Sequence, residues 1–312
     1  MKNYKFLFAA LLSGAVLLVN VAVLADDDRA GVVTVARIQG TAEYSLDGGT
    51  TWIPALVGKS LPAGSILRSD DRSIVDVLVG QNQADRNVSY LKLSTHNDPA
   101  NNIIPQREVN MIRLRPNTTF GIDKLTVPAS DPTSISGAEF NLKKGSILAS
   151  VRKVSPSSEY FVKIPNGVAA VRGTQFELTS DGSGSSCSVL SGTVWLSFTV
   201  TDANGNPILA PDGTPFPPVQ VTINPGQTFS LSQALINQLS STIAQSGSTG
   251  TSLQTLITQI STLATSAVET LESGSVNTLQ LVITGLQGQS IIISGGVNPP
   301  NDTGNQPVMT NQ

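Results

Sequence analysis

The fold is decided by residues 160–178, which read Y-F-V-K-I-P-N-G-V-A-A-V-R-G-T-Q-F-E-L. Tyr160, Val162 and Ile164 alternate with Phe161 and Lys163, so the two sets are predicted to point to opposite faces of a β-strand. Pro165 lacks a backbone donor and ends that strand. Asn166 and Gly167 tolerate positive φ, so the chain can reverse there. The stretch therefore predicts two antiparallel strands joined by a tight turn.

The second of these strands contains a glycine near its middle. The strand restarts at Val168, and beyond Arg172 the side chains of Thr174 and Phe176 are predicted to face the same side. Gly173 interrupts the alternation, and a glycine inside a strand marks a bulge or a close backbone approach. We expect the Arg172 guanidinium to donate to loop carbonyls or to pair with a carboxylate, with a ligand-facing role as the alternative.

Residues 164–176 resemble the central motif of the FecR domain family, roughly T-P-x-A-x-A-x-x-R-G-T-x-F, with Ile164 replacing the usual threonine. The flanking stretches 142–148 and 189–196 resemble the glycine-containing strands before and after that motif. The motif positions in this chain are Pro165, Arg172, Gly173, Thr174 and Phe176. The resemblance extends over residues 32–230 and implies an extracytoplasmic, non-enzymatic, all-β module, of the kind known from regulators of iron-uptake signalling.

Short strand patterns separated by glycine turns recur on both sides of this motif. They are found at 32–45, 58–69, 73–79, 112–122, 140–151 and 219–231. Residues 186–200 are predicted to form a hairpin that turns at Gly192. Residues 81–110 are predicted to be an excursion that contains a hairpin, and 127–137 a loop. The region 26–231 is thus expected to be a mainly β domain, a sandwich or a solenoid-like stack of many short strands.

The character of the chain changes after Leu231. Apolar residues spaced three and four apart predict a helical region, and S-G-S-T-G suggests two antiparallel helices. The stripe is Leu253, Ile257, Ile260, Ala264, Ala267 and Leu271, and it is widened by Leu256, Leu263 and Val268. Since this stripe needs a partner surface, we expect residues 232–273 to form a unit separate from the β-fold, which mediates self-association or binds an envelope protein. A terminal β-hairpin within 232–296 and a disordered tail over 297–312 complete the prediction.

The amino terminus is predicted to be a secretory signal peptide, residues 1–25. Two lysines precede an apolar run, and Val23-Leu24-Ala25 favours cleavage between Ala25 and Asp26. An uncleaved membrane anchor is the alternative, because about 20 apolar residues can span a bilayer. We expect an exported, periplasmic or extracellular protein with no membrane segment after cleavage.

Composition excludes most catalytic arrangements. The sequence contains one histidine, His96, and one cysteine, Cys187, so it offers no two-histidine metal site and no intramolecular disulfide. D-A-N-G-N-P at 202–207 begins like a calcium loop, but a turn is favoured because later ligand positions are unsuited. No basic stripe with interleaved aromatic residues is present, which argues against nucleic-acid binding. We therefore predict a non-enzyme with no catalytic residues, cofactor or metal.

Two function classes remain, with a third less favoured. The first is a protein-binding or scaffold module at the bacterial cell envelope. The second is a regulator that passes an envelope signal to a sigma-factor or iron-uptake system. In the family's signalling members a cytoplasmic helical segment and a transmembrane helix precede the domain, whereas five residues precede the apolar run here, which favours the first class. The third, a cell-wall or glycan-binding module, lacks an evident aromatic row in the sequence.

Overall fold

The computed structural model describes most of the chain. The described residues are 28–80, 110–129, 135–152, 158–182, 184–202, 204–249 and 251–271, together with the backbone of 279–284 and 290–295. The predicted signal peptide and its cleavage site, His96, residues 81–109 and the predicted disordered tail lie outside them.

The mainly β prediction is confirmed. The strands are β1 (Asp28–Ala30), β2 (Val33–Gln39), β3 (Ala42–Ser45), β4 (Ile53–Pro54), β5 (Ser60–Leu61), β6 (Ile66–Ser69), β7 (Ile74–Val79), β8 (Met111–Leu114), β9 (Thr119–Pro128), β10 (Gly137–Ser150), β11 (Glu159–Ile164), β12 (Gly167–Ser180), β13 (Ser185–Phe198), β14 (Val219–Ile223), β15 (Gln227–Leu231), β16 (Val268–Thr270), β17 (Leu279–Thr284) and β18 (Ser290–Gly295). The helices are α1 (Gln233–Thr249) and α2 (Leu253–Ser266).

Sixteen of these strands form one continuous sheet that is folded into two halves. The first half-sheet has the order β5-β2-β7-β8-β10-β12-β13-β15-β16. The second has the order β4-β3-β6-β9-β10-β11-β12-β13-β14, with β1 on β9. The rings of Phe198 and Phe229, one from each half, lie 5.8 Å apart between centroids. Because side chains from both halves belong to one buried cluster, the halves enclose a common core.

Strands β10, β12 and β13 are long because each runs through both halves. The first part of β10 pairs with β9 and β11, and its second part pairs with β8 and β12. Likewise β12 passes from β11 to β10, and β13 passes from β15 to β14. Each of these strands must therefore bend sharply without leaving the sheet.

The first corner of the folded sheet is built from residues near Gly40, Thr118 and Gly145. Gly40 and Gly145 have φ of 90° and 99°, where a side chain is strained, and a Cβ on Gly145 would clash with the backbone of Thr118. The Thr118 hydroxyl donates to the Ser146 carbonyl and accepts from its amide, both at 3.0 Å. Asn117 supplies the remaining left-handed residue, at φ 57°. The corner thus keeps its backbone groups hydrogen-bonded while the strands change direction.

The second corner lies at the other end of the first half-sheet, where Gly173 of β12 faces Gly192 of β13. Their φ angles are 62° and 78°, and a Cβ on Gly192 would come within 2.5 Å of the Gly173 carbonyl oxygen. The register of the two strands shifts here, which is a β-bulge. The buried Thr174 hydroxyl donates to the Thr193 carbonyl at 3.0 Å. The predicted bulge and close approach at Gly173 are therefore both present.

Two predictions about turns are corrected by this geometry. Residues 186–200 do not form a hairpin at Gly192, because the strand continues through it and pairs with β12 on both sides. The turn at 165–166 does join β11 to β12, but neither Asn166 nor Gly167 has positive φ. Gly167 is needed because a Cβ there would overlap the carbonyl oxygen of Ser197 on the neighbouring strand. Near the carboxyl end, where a hairpin is predicted, β17 pairs antiparallel with β18.

A buried carboxylate links three strands of the first half-sheet. Asp76 on β7 is fully buried and accepts from Arg37 on β2 at 2.8 Å and from Arg113 on β8 at 2.7 Å. These residues are cross-strand neighbours in the register. Because a buried carboxylate left unpaired would be strongly destabilising, the two guanidinium groups are required for strand β7 to occupy the interior of the half-sheet.

The helices are packed on the β-fold rather than standing apart from it. Leu256, Ile260 and Ala264 of α2 are buried in the same cluster as the sheet side chains, and α2 lies against β14. The helix ends at Ser266, and residues 268–270 form β16, which pairs with β15. The expectation of a unit separate from the β-fold is therefore wrong for these residues. The buried side of the helix is also rotated, since Leu256 is fully buried and Ile257 only partly.

The second corner yields a stability prediction with a matched control. Gly192→Ala should destabilise the protein by roughly 2 kcal/mol more than Gly213→Ala, because Gly213 has a similar φ of 81° but nothing within 4 Å of a Cβ. Both variants share the left-handed strain of about 1 kcal/mol and the same effect on the unfolded chain. Urea unfolding of both variants measures the difference, and equal losses would contradict the close approach of β12 and β13.

The rotated helix yields a second prediction. Leu256→Ala should lower the free energy of unfolding by about 2–5 kcal/mol, because it removes a fully buried side chain from the common core. Ile257→Ala, one residue further along the same helix, should cost less, about 1 kcal/mol, because its side chain is only partly buried at the edge of the core. Denaturant unfolding followed by circular dichroism measures both, and a larger loss for Ile257 would show that the helix presents its other side to the sheet.

Candidate protein interface

The motif residues lie on both surfaces of strand β12 and at its start. Pro165 is exposed in the turn before β12, and Phe176 is fully buried in the core. Between them, the side chain of Arg172 points outward and that of Thr174 points inward, because the bulge at Gly173 inserts one residue into the alternation. The motif thus places Thr174 and Phe176 in the core and Arg172 on the outer surface.

Arg172 differs from its prediction. Its side chain is exposed, and the described residues provide it with no carboxylate or carbonyl partner. The structural role predicted for this guanidinium is therefore not seen among the described residues, where the side chain points outward from β12. By contrast Arg115, which follows β8, is ion-paired with Glu177 at 3.0 Å.

An aromatic pair lies on the same outer surface. The register aligns Phe161 of β11, Ala170 of β12 and Trp195 of β13 in one row across three strands. Each is flanked along its strand by buried residues, so all three side chains point outward. Trp195 is 46% exposed, and Phe161 and Ala170 are partly exposed. Two aromatic side chains thus stand two strand spacings apart, about 10 Å, with a small residue between them.

We call this surface the aromatic face and define it by Phe161, Val168, Ala170, Arg172 and Trp195. Arg172 and Val168 are the outward neighbours of Ala170 along β12, two residues away on either side. Arg172 pairs with Thr193, so it is a diagonal neighbour of Trp195, within reach of long side chains on a sheet. Polar Thr222 and Gln220 of β14 continue the surface beyond Trp195.

The opposite border of the aromatic face is charged, with one lysine held between two carboxylates. Lys163 donates to Glu139 at 2.8 Å and to Asp123 at 3.2 Å. The hydrogen bond to Glu139 raises the pKa of Lys163, and the same bond lowers the pKa of Glu139. Lys163 and Glu139 therefore both stay charged near neutral pH. An apolar centre with a polar and charged border is the usual composition of a protein interface.

The described residues contain no cluster of side chains suited to holding a metal ion. No group of three or more histidine, cysteine, aspartate or glutamate side chains is close enough to hold a metal ion in that part of the chain. Cys187 is buried, and burial raises the pKa of its thiol to about 12, as expected for a residue that fills the core. The Asp202 carboxylate accepts amide protons from Asn204 and Asn206 at 2.8 and 2.9 Å, which confirms the predicted turn.

The strands that carry the aromatic face lie in a segment that matches a known protein family. Residues 105–195 match the family described as FecR protein. The match is to a FecR domain and spans 91 of the 312 residues. It covers β8 to nearly the end of β13, and includes the second corner, Arg172 and, at its last position, Trp195.

Solved structures give only distant similarity. Two crystal structures of a "putative anti-sigma factor" from Parabacteroides distasonis, at 2.50 and 1.65 Å resolution, match with TM-scores of 0.27 and 0.26 and identities of 12% and 11%. Each match covers 41% of this chain and 49% of the other, so the chain spans about half the length of those proteins. No curated protein sequence matches the chain. Among the described residues, no helix is long and apolar enough to cross a membrane.

Sequence reasoning did not find the aromatic face. Phe161 and Trp195 are 34 positions apart, and only the pairing of β11, β12 and β13 aligns them. The strand pattern at 186–200 does place Trp195 opposite to its buried neighbours, so its outward position was predictable. The residues beside Trp195 on the adjacent strands were not predictable, because the hairpin predicted at Gly192 would have paired Trp195 within its own segment.

Proposed function

We propose that this chain is a non-enzymatic regulator of envelope signalling, which works by binding a protein partner through the aromatic face. The observation that carries the proposal is the exposed Trp195 beside Arg172, which has no partner among the described residues, on strands that match the FecR domain. Tryptophan and arginine are the residues most enriched among those that dominate binding energy at protein interfaces.

The FecR match favours a regulator over a passive scaffold. Proteins of this family are associated with the cell envelope and with signal transduction, and the matched segment includes the strands that form the aromatic face. A regulator needs a rigid surface that a partner can recognise. The face meets this need because it lies on paired strands with a packed core beneath, rather than on loops.

A glycan-binding role is a second candidate, which the aromatic pair itself supports. Phe161 and Trp195 project from one flat surface, and outward aromatic rings offer stacking faces. Arg172 has no ion-pair partner among the described residues, so a partner with an anionic group is favoured. An uncharged glycan would leave this guanidinium without a counter-charge. We therefore place the protein-binding role first.

Gene replacement in the source organism tests the regulatory role. Deleting the gene should change the abundance of a defined set of transcripts, and the unmodified gene should restore them. A Trp195→Ala gene should fail to restore them although the protein accumulates normally, because truncating a central interface residue of this kind weakens binding by more than about 1–2 kcal/mol. Transcript sequencing and immunoblotting measure both quantities.

The control is Leu209→Ala, which removes an equally exposed apolar side chain outside the aromatic face. This variant should restore the transcripts fully. An unchanged transcript profile in the deletion strain would reject the regulatory role. Sedimentation of the protein with purified cell-wall glycan, lost in Trp195→Ala, would support the glycan-binding candidate instead.

A further inference from the structure

The aromatic face has a shape that selects a particular kind of partner. Ala170 leaves a shallow slot between the rings of Phe161 and Trp195, because its methyl group cannot fill the space between side chains two strands apart. The slot is open along β12, towards Arg172 at one end and Val168 at the other. An extended chain laid along β12 would fit it, because its side chains on one face repeat at the same spacing of about 7 Å.

The two cationic side chains on this surface differ in whether a carboxylate of the same chain already pairs with them. Lys163 is held by two carboxylates, at 2.8 and 3.2 Å. Arg172 is exposed and has no such partner among the described residues. A guanidinium presents a planar fork of donors that matches a carboxylate in two parallel hydrogen bonds. The surface is thus complementary to one apolar side chain and one carboxylate at a fixed separation.

We propose that the partner protein presents an extended segment of the pattern apolar-x-acidic to the aromatic face. The apolar side chain lies between Phe161 and Trp195, and the acidic side chain two residues away bonds to the Arg172 guanidinium. This inference rests on the proposed function, because it describes the partner bound at the same surface. It commits to a protein segment, since an uncharged glycan would leave Arg172 without a carboxylate.

Labelled peptides provide the test. Three fluorescein-labelled peptides differ only in the first and third residues of a central triplet, which is Leu-Ser-Glu, Leu-Ser-Lys or Ser-Ser-Glu. Fluorescence anisotropy with the full mature chain should show that the first binds about tenfold more tightly than either of the others, a difference of ~1.4 kcal/mol. Increasing the salt concentration should reduce the preference for glutamate over lysine but not the preference for leucine over serine.

Charge reversal separates recognition from general effects on folding. Arg172→Gln should remove the preference for glutamate, and Arg172→Glu should reverse it in favour of the lysine peptide. Arg72→Gln, the same change at a fully exposed arginine in the turn before β7, should leave the preference intact. Because Arg172 is exposed and forms no ion pair among the described residues, its variants should unfold at nearly the same urea concentration as the parent.

Three results would overturn the proposal: no measurable binding of any peptide, equal binding of the glutamate and lysine peptides, or an equal effect of Arg72→Gln. If these occur while Trp195→Ala still abolishes the transcriptional response, the proposed function stands and the partner is recognised by another chemistry. If the peptides behave as expected but deletion changes no transcript, the binding site stands and the regulatory role falls.

Discussion

The structure depends on strands that bend sharply while they remain in a sheet. A strand can do so only where one residue adopts positive φ and a nearby side chain satisfies the backbone groups that lose their ladder partners. This chain meets both needs with a recurring dipeptide, a glycine or asparagine followed by a hydroxyl residue. The dipeptides are Gly40-Thr41, Asn117-Thr118, Gly145-Ser146, Gly173-Thr174 and Gly192-Thr193. Because all five lie at the two corners, one continuous sheet can close over its own core.

The second corner also connects the fold to the proposed site. The bulge at Gly173 reverses the alternation of β12, so Arg172 points outward while Thr174 points into the core. Without the extra residue, the strand could not keep both Ala170 and Arg172 outward and still bury Thr174 and Phe176. The same residues that stabilise the corner therefore determine which charge the aromatic face presents. This is a physical reason for arginine, glycine and threonine to occur together in the motif.

The parts of the fold that follow from local pattern were predictable from the sequence. Alternation in β11 and β12 was sufficient to place their inner and outer faces. The errors arose where one pattern fits two structures. Gly192 within an alternating run can be a hairpin turn or a bulge, and only its contact with Gly173 on another strand decides between them. In α2 both Leu256 and Ile257 fit an apolar stripe, and the position of β14 selects Leu256. The aromatic face was missed for the same reason, since strand pairing rather than spacing creates it.

The central claim, that β13 continues through Gly192 and pairs with β12 on both sides of the corner, can be tested by nuclear magnetic resonance. Nuclear Overhauser effects between cross-strand neighbours report the pairing directly in solution. The account predicts contacts between Leu178 and Cys187 and, on the other side of the corner, between Ala169 and Leu196. Contacts of Leu190 with Val194 as cross-strand neighbours, with one of the predicted pairs absent, would show a hairpin at Gly192 and would contradict the folded-sheet account.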